Sequence, residues 1–245
     1  MSLSQSEMER YSRQILINGW GVKGQKILKN SKVAVVGIGG LGCVSSLYLA
    51  SSGIGKLVLI DKDKINLSDL NRQILYSQKD VGRFKVEVAK EKISSLNPHV
   101  EIATVMNEIA VENVSRTIGN VDIVVDGLDN WKARFIVNDY CVKTRTTFVH
   151  AGVSQFYGQI TTIIPTEGPC LRCIFPKEPI DAGLTPIFGG TPSALASLQV
   201  IEVIKCLTKI GKPLNGRMLF LDGEEMIIET AEIKKNPDCP VCGTV

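Results

Sequence analysis

The first 150 residues alternate between two hydrophobic patterns. Short, apolar, β-branched runs at Lys32–Val36, Lys56–Ile60, Val100–Val105, Val121–Asp126 and Thr146–His150 have the composition of buried strands. Between them, apolar residues recur at helical spacing: after Gly42, over 85–96, over 107–118 and over 131–143. Two further helices are predicted ahead of the first strand. Residues 4–19 offer Ser4 as N-cap, Glu7 three positions on and Gly19 at the end, and residues 22–29 follow. Strand alternating with helix predicts an α/β fold with a Rossmann-like, doubly wound, mostly parallel sheet.

Beyond residue 150 the pattern changes. Gly158–Pro165 alternates polar and apolar side chains, as an antiparallel or edge strand does. Residues 176–192 hold prolines at 176, 179, 186 and 192 and glycines at 183, 189 and 190, which predicts a long irregular crossing segment. Residues 193–209 read as a helix. Strands over 217–222 and 225–234 follow, joined at Asp222-Gly223, a tight hairpin signal. No stretch reads as a linker, so the expectation is one domain over 1–245: N-terminal helices (1–30), a nucleotide-binding half (31–150) and a half extended by antiparallel strands (151–245).

Composition narrows the class. The 245 residues are 44% hydrophobic, ample for a core, and the net charge of +3 gives no nucleic-acid footprint. No apolar run reaches the ~18 residues of a membrane span. The N-terminus is polar and acidic, unlike a secretory signal. The expectation is a cytoplasmic protein.

The chemistry gathers at strand ends. Glycines at 37, 39, 40 and 42 separate the first strand from its helix, and Asp61 ends the second strand. Such glycines let backbone N–H groups approach phosphate, and the acid suits a ribose hydroxyl. Arg72 falls in the polar loop after Asp61. Lys85 falls in the first turn of a helix, where the dipole disfavours a cation unless an anion is at hand. Asp126 and Asp129 follow the fourth strand and suit a metal or a ribose, or the N-cap of the next helix, as does Asn130. Cys170-Leu-Arg-Cys173 and Cys239-Pro-Val-Cys242 are two C-x-x-C knuckles. Four thiolates suit a closed, tetrahedral, structural Zn2+ site; two disulfides or a redox pair are the alternatives, less suited to a cytosolic chain. Cys43, Cys141 and Cys206 lie in apolar helical patterns, as buried inert thiols do.

The glycine loop with Asp61 fits an NAD(P)-dependent oxidoreductase as well as an ATP enzyme. Hydride transfer needs a proton donor near a carbonyl, and both histidines, His99 and His150, read as structural. Two rim cations and an acid suit a triphosphate better.

The set Arg10-Tyr-Ser-Arg13-Gln, Gly37-Ile-Gly-Gly-Leu-Gly42, Asp61-Lys-Asp63, Leu70-Asn-Arg-Gln73, Val81-Gly-x-x-Lys85, Asp126-Gly-Leu-Asp-Asn130 and the two knuckles resembles the MoeB/ThiF family, relatives of the ubiquitin-activating E1 enzymes. The resemblance runs from about Arg10 to Cys242. It implies ATP-dependent adenylation of the C-terminal glycine of a ubiquitin-like sulfur carrier of the MoaD/ThiS type, ending in Gly-Gly. It places Gly39, Gly40, Leu41 and Gly42 near the phosphates, Asp61 on the ribose, and Arg72 and Lys85 on the triphosphate. Asp129 would hold Mg2+, and Asp63, Asn71 and Asn130 would complete the nucleotide site. Arg13 would reach into the partner's site of a homodimer. Some relatives carry a cysteine in the crossover loop; residues 174–205 here have none, with Ala182 and Thr185 in that region. The resemblance therefore points to an acyl-adenylate passed to a separate sulfurtransferase. Other members of the superfamily adenylate a non-protein carboxylate, including one borne on transfer RNA.

Overall fold

The apolar run after Lys32 becomes β1 (Lys32–Val36), buried from Val33 onward because neighbours cover both faces. β2 (Lys56–Ile60), β3 (Glu101–Val105), β4 (Ile123–Asp126) and β5 (Thr147–Ser154) lie parallel to it. β6 (Tyr157–Ile163), β7 (Arg217–Asp222) and β8 (Ile227–Glu232) continue the sheet antiparallel. The computed structural model describes residues 2–180, 183 and 185–243, so Ala182 lies outside the described residues. Among the described residues the strands form one eight-stranded sheet in the order β3-β2-β1-β4-β5-β6-β7-β8. The parallel core with an antiparallel extension is the predicted architecture.

Alternate residues of each strand feed two cores. Val33 and Val35 pack under α3 (Gly21–Asn30), α4 (Gly40–Ser51), α5 (Lys85–Leu96) and α9 (Gly190–Thr208). Ala34 and Val36 pack under α6 (Val114–Ile118), α7 (Trp131–Thr144) and α8 (Leu171–Ile174). The chain leaves β1 in one direction for β2 and β3, then returns to place β4 on the other side of β1. That reversal opens a crevice at the carboxyl ends of β1 and β4, where ligands of open α/β sheets bind.

Three expectations need correction. The segment 4–19 is not one helix. α1 (Gln5–Arg10) carries the capping box of Ser4 and Glu7, but the chain breaks at Tyr11 and resumes only as α2 (Ser12–Ile15). Tyr11 is drawn into the core, where its hydroxyl accepts from Asn97 Nδ2 at 2.8 Å. The stretch 107–118 is helical only from Val114. Asn113 holds the earlier part as a loop, accepting from Ala110 N–H at 2.9 Å and donating to Glu108 C=O at 2.8 Å. The β7–β8 hairpin has Asp222 opposite Ile227, so residues 223–226 form the turn rather than a two-residue one. Asp222 accepts from the N–H groups of Glu224 and Glu225, and Met226 takes the left-handed conformation at φ 56°.

Candidate active site

The crevice is a cavity of about 1120 Å³. Its floor is the glycine loop between β1 and α4, and the glycines there do different work. A Cβ at Gly42 would stand 1.9 Å from the Gly37 carbonyl oxygen, and one at Gly127 would stand 2.1 Å from the same atom. These two residues let the loop close on itself and on β4. Gly39 meets nothing nearer than 3.7 Å, lines the cavity, and leaves its wall open for a ligand. Gly40 and Leu41 also line the cavity; Gly42 does not.

Asp61 ends β2 with its carboxylate tied to the floor, accepting from Ile38 N–H at 2.7 Å and from Asp63 N–H at 2.8 Å. Burial pushes its pKa above the ordinary value, against the pull of Lys85 and those N–H groups. Lys85 is the first residue of α5 and is buried with its ammonium 3.8 Å from Asp63 and 3.9 Å from Asp69. Arg72 is held by Ser68 C=O at 2.9 Å and by Asn71 Oδ1 at 2.8 Å. Asn71 therefore supports Arg72 without lining the cavity itself.

The opposite wall is the turn after β4. Asn130 caps α7, accepting from Ala133 N–H at 2.9 Å, while Asp129 stays exposed on the cavity with Asn130 Nδ2 at 3.3 Å. Asp126 is no ligand residue. It is fully buried and accepts from Leu128 N–H at 2.9 Å, Arg134 Nε at 3.2 Å and His150 Nδ1 at 2.6 Å. Burial lowers the pKa of His150 despite Asp126, so the ring is neutral at pH 7. Arg134 also donates to Leu128 C=O at 2.6 Å, so the turn carrying Asp129 rests on a buried ionic post.

Nine expected residues thus meet at one cavity: Gly39, Gly40, Leu41, Asp61, Asp63, Arg72, Lys85, Asp129 and Asn130. Arg13 does not; it is exposed on α2. Sequence reasoning missed Gln73, Arg134 and the cavity wall from Gly152 to Gln155. Gln73 was within reach as the neighbour of Arg72 in a polar loop, whereas nothing in the local sequence pointed to Arg134.

The four knuckle cysteines converge, with Cys170 and Cys239 sulfurs 3.7 Å apart and those of Cys173 and Cys242 3.3 Å apart. All four sulfurs lie within 4.8 Å of one another. A tetrahedron with Zn–S of about 2.3 Å has S–S edges of about 3.8 Å, so the donor set fits zinc in number, chemistry and spacing. Burial pushes the Cys239 thiol up, but the N–H groups of Cys242 and Val241 and the neighbouring thiols bring it down to about 7. Among the described residues this is the one cluster of three or more such ligands.

A family model described as the ThiF family matches residues 11–241. The chain belongs to the ThiF family. It is 40% identical over 248 residues to the SAMP-activating enzyme E1 of Haloferax volcanii, covering 99% of this chain and 92% of that one. It is 37% identical over 254 residues to the sulfur carrier protein adenylyltransferase of Thermus thermophilus, covering 99% and 93%. The crystal structure of E. coli MccB with ATP superposes with a TM-score of 0.87 at 28% identity, covering 99% of this chain and 76% of that one. This ThiF-family protein is an E1-like adenylyltransferase, so the oxidoreductase alternative does not stand. No helix among the described residues is long and apolar enough to cross a membrane.

Proposed function

We propose that this protein adenylates the C-terminal glycine carboxylate of a small ubiquitin-like sulfur carrier ending in Gly-Gly. The observation that carries this reading is the shape of the cavity. It runs from the ends of β1 and β2, past Gly152–Gln155, to Gln159 of β6 and Phe220 of β7. That path has room for a nucleotide at one end and an extended tail at the other, with Arg72 and Lys85 on the nucleotide side.

The chemistry follows from charge. A C-terminal carboxylate, with a pKa near ~3.5, is ionised at pH 7 and needs no general base. What opposes reaction is its repulsion by the phosphates, which fixed cations remove. Lys85 and Arg72 face the triphosphate, Asp61 accepts from the ribose, and Gly39 leaves the backbone clear. A carboxylate oxygen then attacks the α-phosphorus, and the bond to pyrophosphate breaks. Asp129 would hold Mg2+, which would supply charge neutralisation on the leaving group, in keeping with the habit of this ion of binding through one or two carboxylates. With no cysteine in residues 174–205, the acyl-adenylate is the end product, consumed by a separate sulfurtransferase. Thiolates kept for zinc suit a reducing compartment, the cytoplasm.

The test is ATP–pyrophosphate exchange with Mg2+ and a panel of carriers ending in Gly-Gly. At least one carrier should drive exchange, and the same carrier lacking its last glycine should not. Exchange with none of them would overturn the reading. The exposed Arg13 supports donation to the partner's cavity in a homodimer. Arg13→Ala should then lose exchange. Mixed 1:1 with Lys85→Ala it should recover about a quarter of wild-type activity, because half the dimers are mixed and each has one intact site. Recovery of nothing would show that Arg13 does not act across the dimer.

A further inference from the structure

We propose that Asp69 is the positioning residue of this site, setting the direction of Arg72, Gln73 and Lys85 without touching the ligand; this rests on the adenylation reading. Asp69 is 6% exposed and is not part of the cavity wall, whereas the other three are. One carboxylate oxygen accepts from Gln73 Nε2 at 3.0 Å and faces Arg72 Nη2 at 3.4 Å. The other accepts from Asn66 N–H at 2.9 Å and lies 3.9 Å from Lys85 Nζ. The Asp69 carbonyl accepts from the N–H groups of both Arg72 and Gln73, at 3.1 and 2.9 Å. A single residue thus fixes the backbone and the side chains that follow it.

Two observations separate this from ordinary packing. Arg72 and Lys85 are like charges drawn to one wall, and without an anion between them they would diverge. Gln73 spends its amide N–H on Asp69 and leaves its buried Oε1 with no partner. An unpaired buried acceptor is a cost that folding alone gives no reason to keep.

The experiment compares Asp69→Ala and Asp69→Asn. Alanine should lower kcat for exchange about tenfold or more while the Kd for MgATP, read by calorimetry, stays within about threefold. Loss of alignment and loss of a negative charge act in opposite directions on ground-state binding. Asparagine keeps an oxygen for Gln73 and Arg72 but not the negative charge between the two cations, and should recover only part of the rate that alanine loses. A loss confined to Kd, or an asparagine variant no better than alanine, would overturn the proposal. A crystal structure of Asp69→Ala keeps the test independent of turnover. Arg72 and the Gln73 amide should be redirected, and Lys85 should turn toward Asp63. Unmoved side chains would overturn the positioning role even if the carrier reading holds, and wild-type protein inactive with every carrier would overturn that reading alone.

Discussion

At the scale of single residues, the glycines show how one sequence motif carries two jobs. Gly37-Ile-Gly-Gly-Leu-Gly42 reads as a phosphate loop, yet Gly42 and the distant Gly127 both owe their identity to the Gly37 carbonyl, which a Cβ at either would strike. Gly37 itself has φ +87° and a would-be Cβ 2.4 Å from Gly127 C=O. Backbone atoms cannot swing aside as a long side chain can. Gly42→Ala is therefore expected to destabilise the fold by about 1–3 kcal/mol, the usual cost of overpacking a tight core. Urea unfolding reads it, with a lower midpoint at unchanged slope. A midpoint equal to wild type would mean that the α4 start moves freely, and that Gly42 is there for phosphate after all. The spacing of glycines was legible in the sequence. Which glycine faces ligand and which faces backbone was not, because that depends on Gly127, 85 residues away by position in the chain.

At the scale of elements, the site depends on how the chain enters α5. Lys85 stands at the first position of that helix, and the segment before it is pinned by Asp80. The buried Asp80 accepts from Lys92 Nζ at 2.6 Å, Ser77 Oγ at 2.6 Å and Ser77 N–H at 2.9 Å. Burial alone would raise its pKa, but these donors outweigh it and hold the carboxyl at about 2. Folding thus lowers this pKa, so the stabilisation is complete above the unfolded value of about 4 and drains away as pH falls toward 2. A shift of that size corresponds to about 2 kcal/mol. Asp80→Asn should be less stable than wild type by about that much at pH 7, with the gap closing below about pH 4. Thermal melts of both proteins across that range check it, and a gap independent of pH would exclude a charge origin. The bounds of α5, Lys85–Leu96, match the predicted 85–96, because a repeating apolar face and the Asn97-Pro98 stop are local signals. The failures at Tyr11 and at 107–113 have the opposite cause. Tyr11 is pulled inward by Asn97, and the loop before Val114 is held open to furnish the cavity wall with Asn107, Glu108 and Ile109.

At the scale of the molecule, the cysteine cluster joins parts of the chain that lie far apart in sequence. Cys170 and Cys239 are 69 residues apart in sequence, and the C-terminal segment after β8 reaches α8 through this cluster and through Asn236 N–H on Cys173 Sγ at 3.4 Å. α8 is in turn fixed to α7. Asn138 Oδ1 accepts from Leu171 N–H at 2.9 Å, and Arg172 forks onto Asp139 with contacts of 2.7–3.0 Å. The first residues of α7 follow Asp129 and Asn130, so one helix spans from the knuckle to the cavity. A clip that closes a loop of this length in the unfolded chain is worth about 4 kcal/mol in the chain-entropy model, whether a disulfide or a metal makes it. Protein purified with its metal should hold one zinc per chain, and chelation should lower the urea midpoint, with a loss of unfolding free energy of about that size. Loss of protection should be local at first. Amides of 171–174 and 236–243 should exchange faster once zinc is removed, while β1, β2 and β4, buried between the two cores, keep their protection. MgATP affinity should weaken only as the start of α7 loosens, so it should follow the exchange of α7 amides rather than zinc content. Metal-free protein with an unchanged midpoint, or with simultaneous loss of protection in β1, would mean that the cluster is not a staple for the C-terminal half.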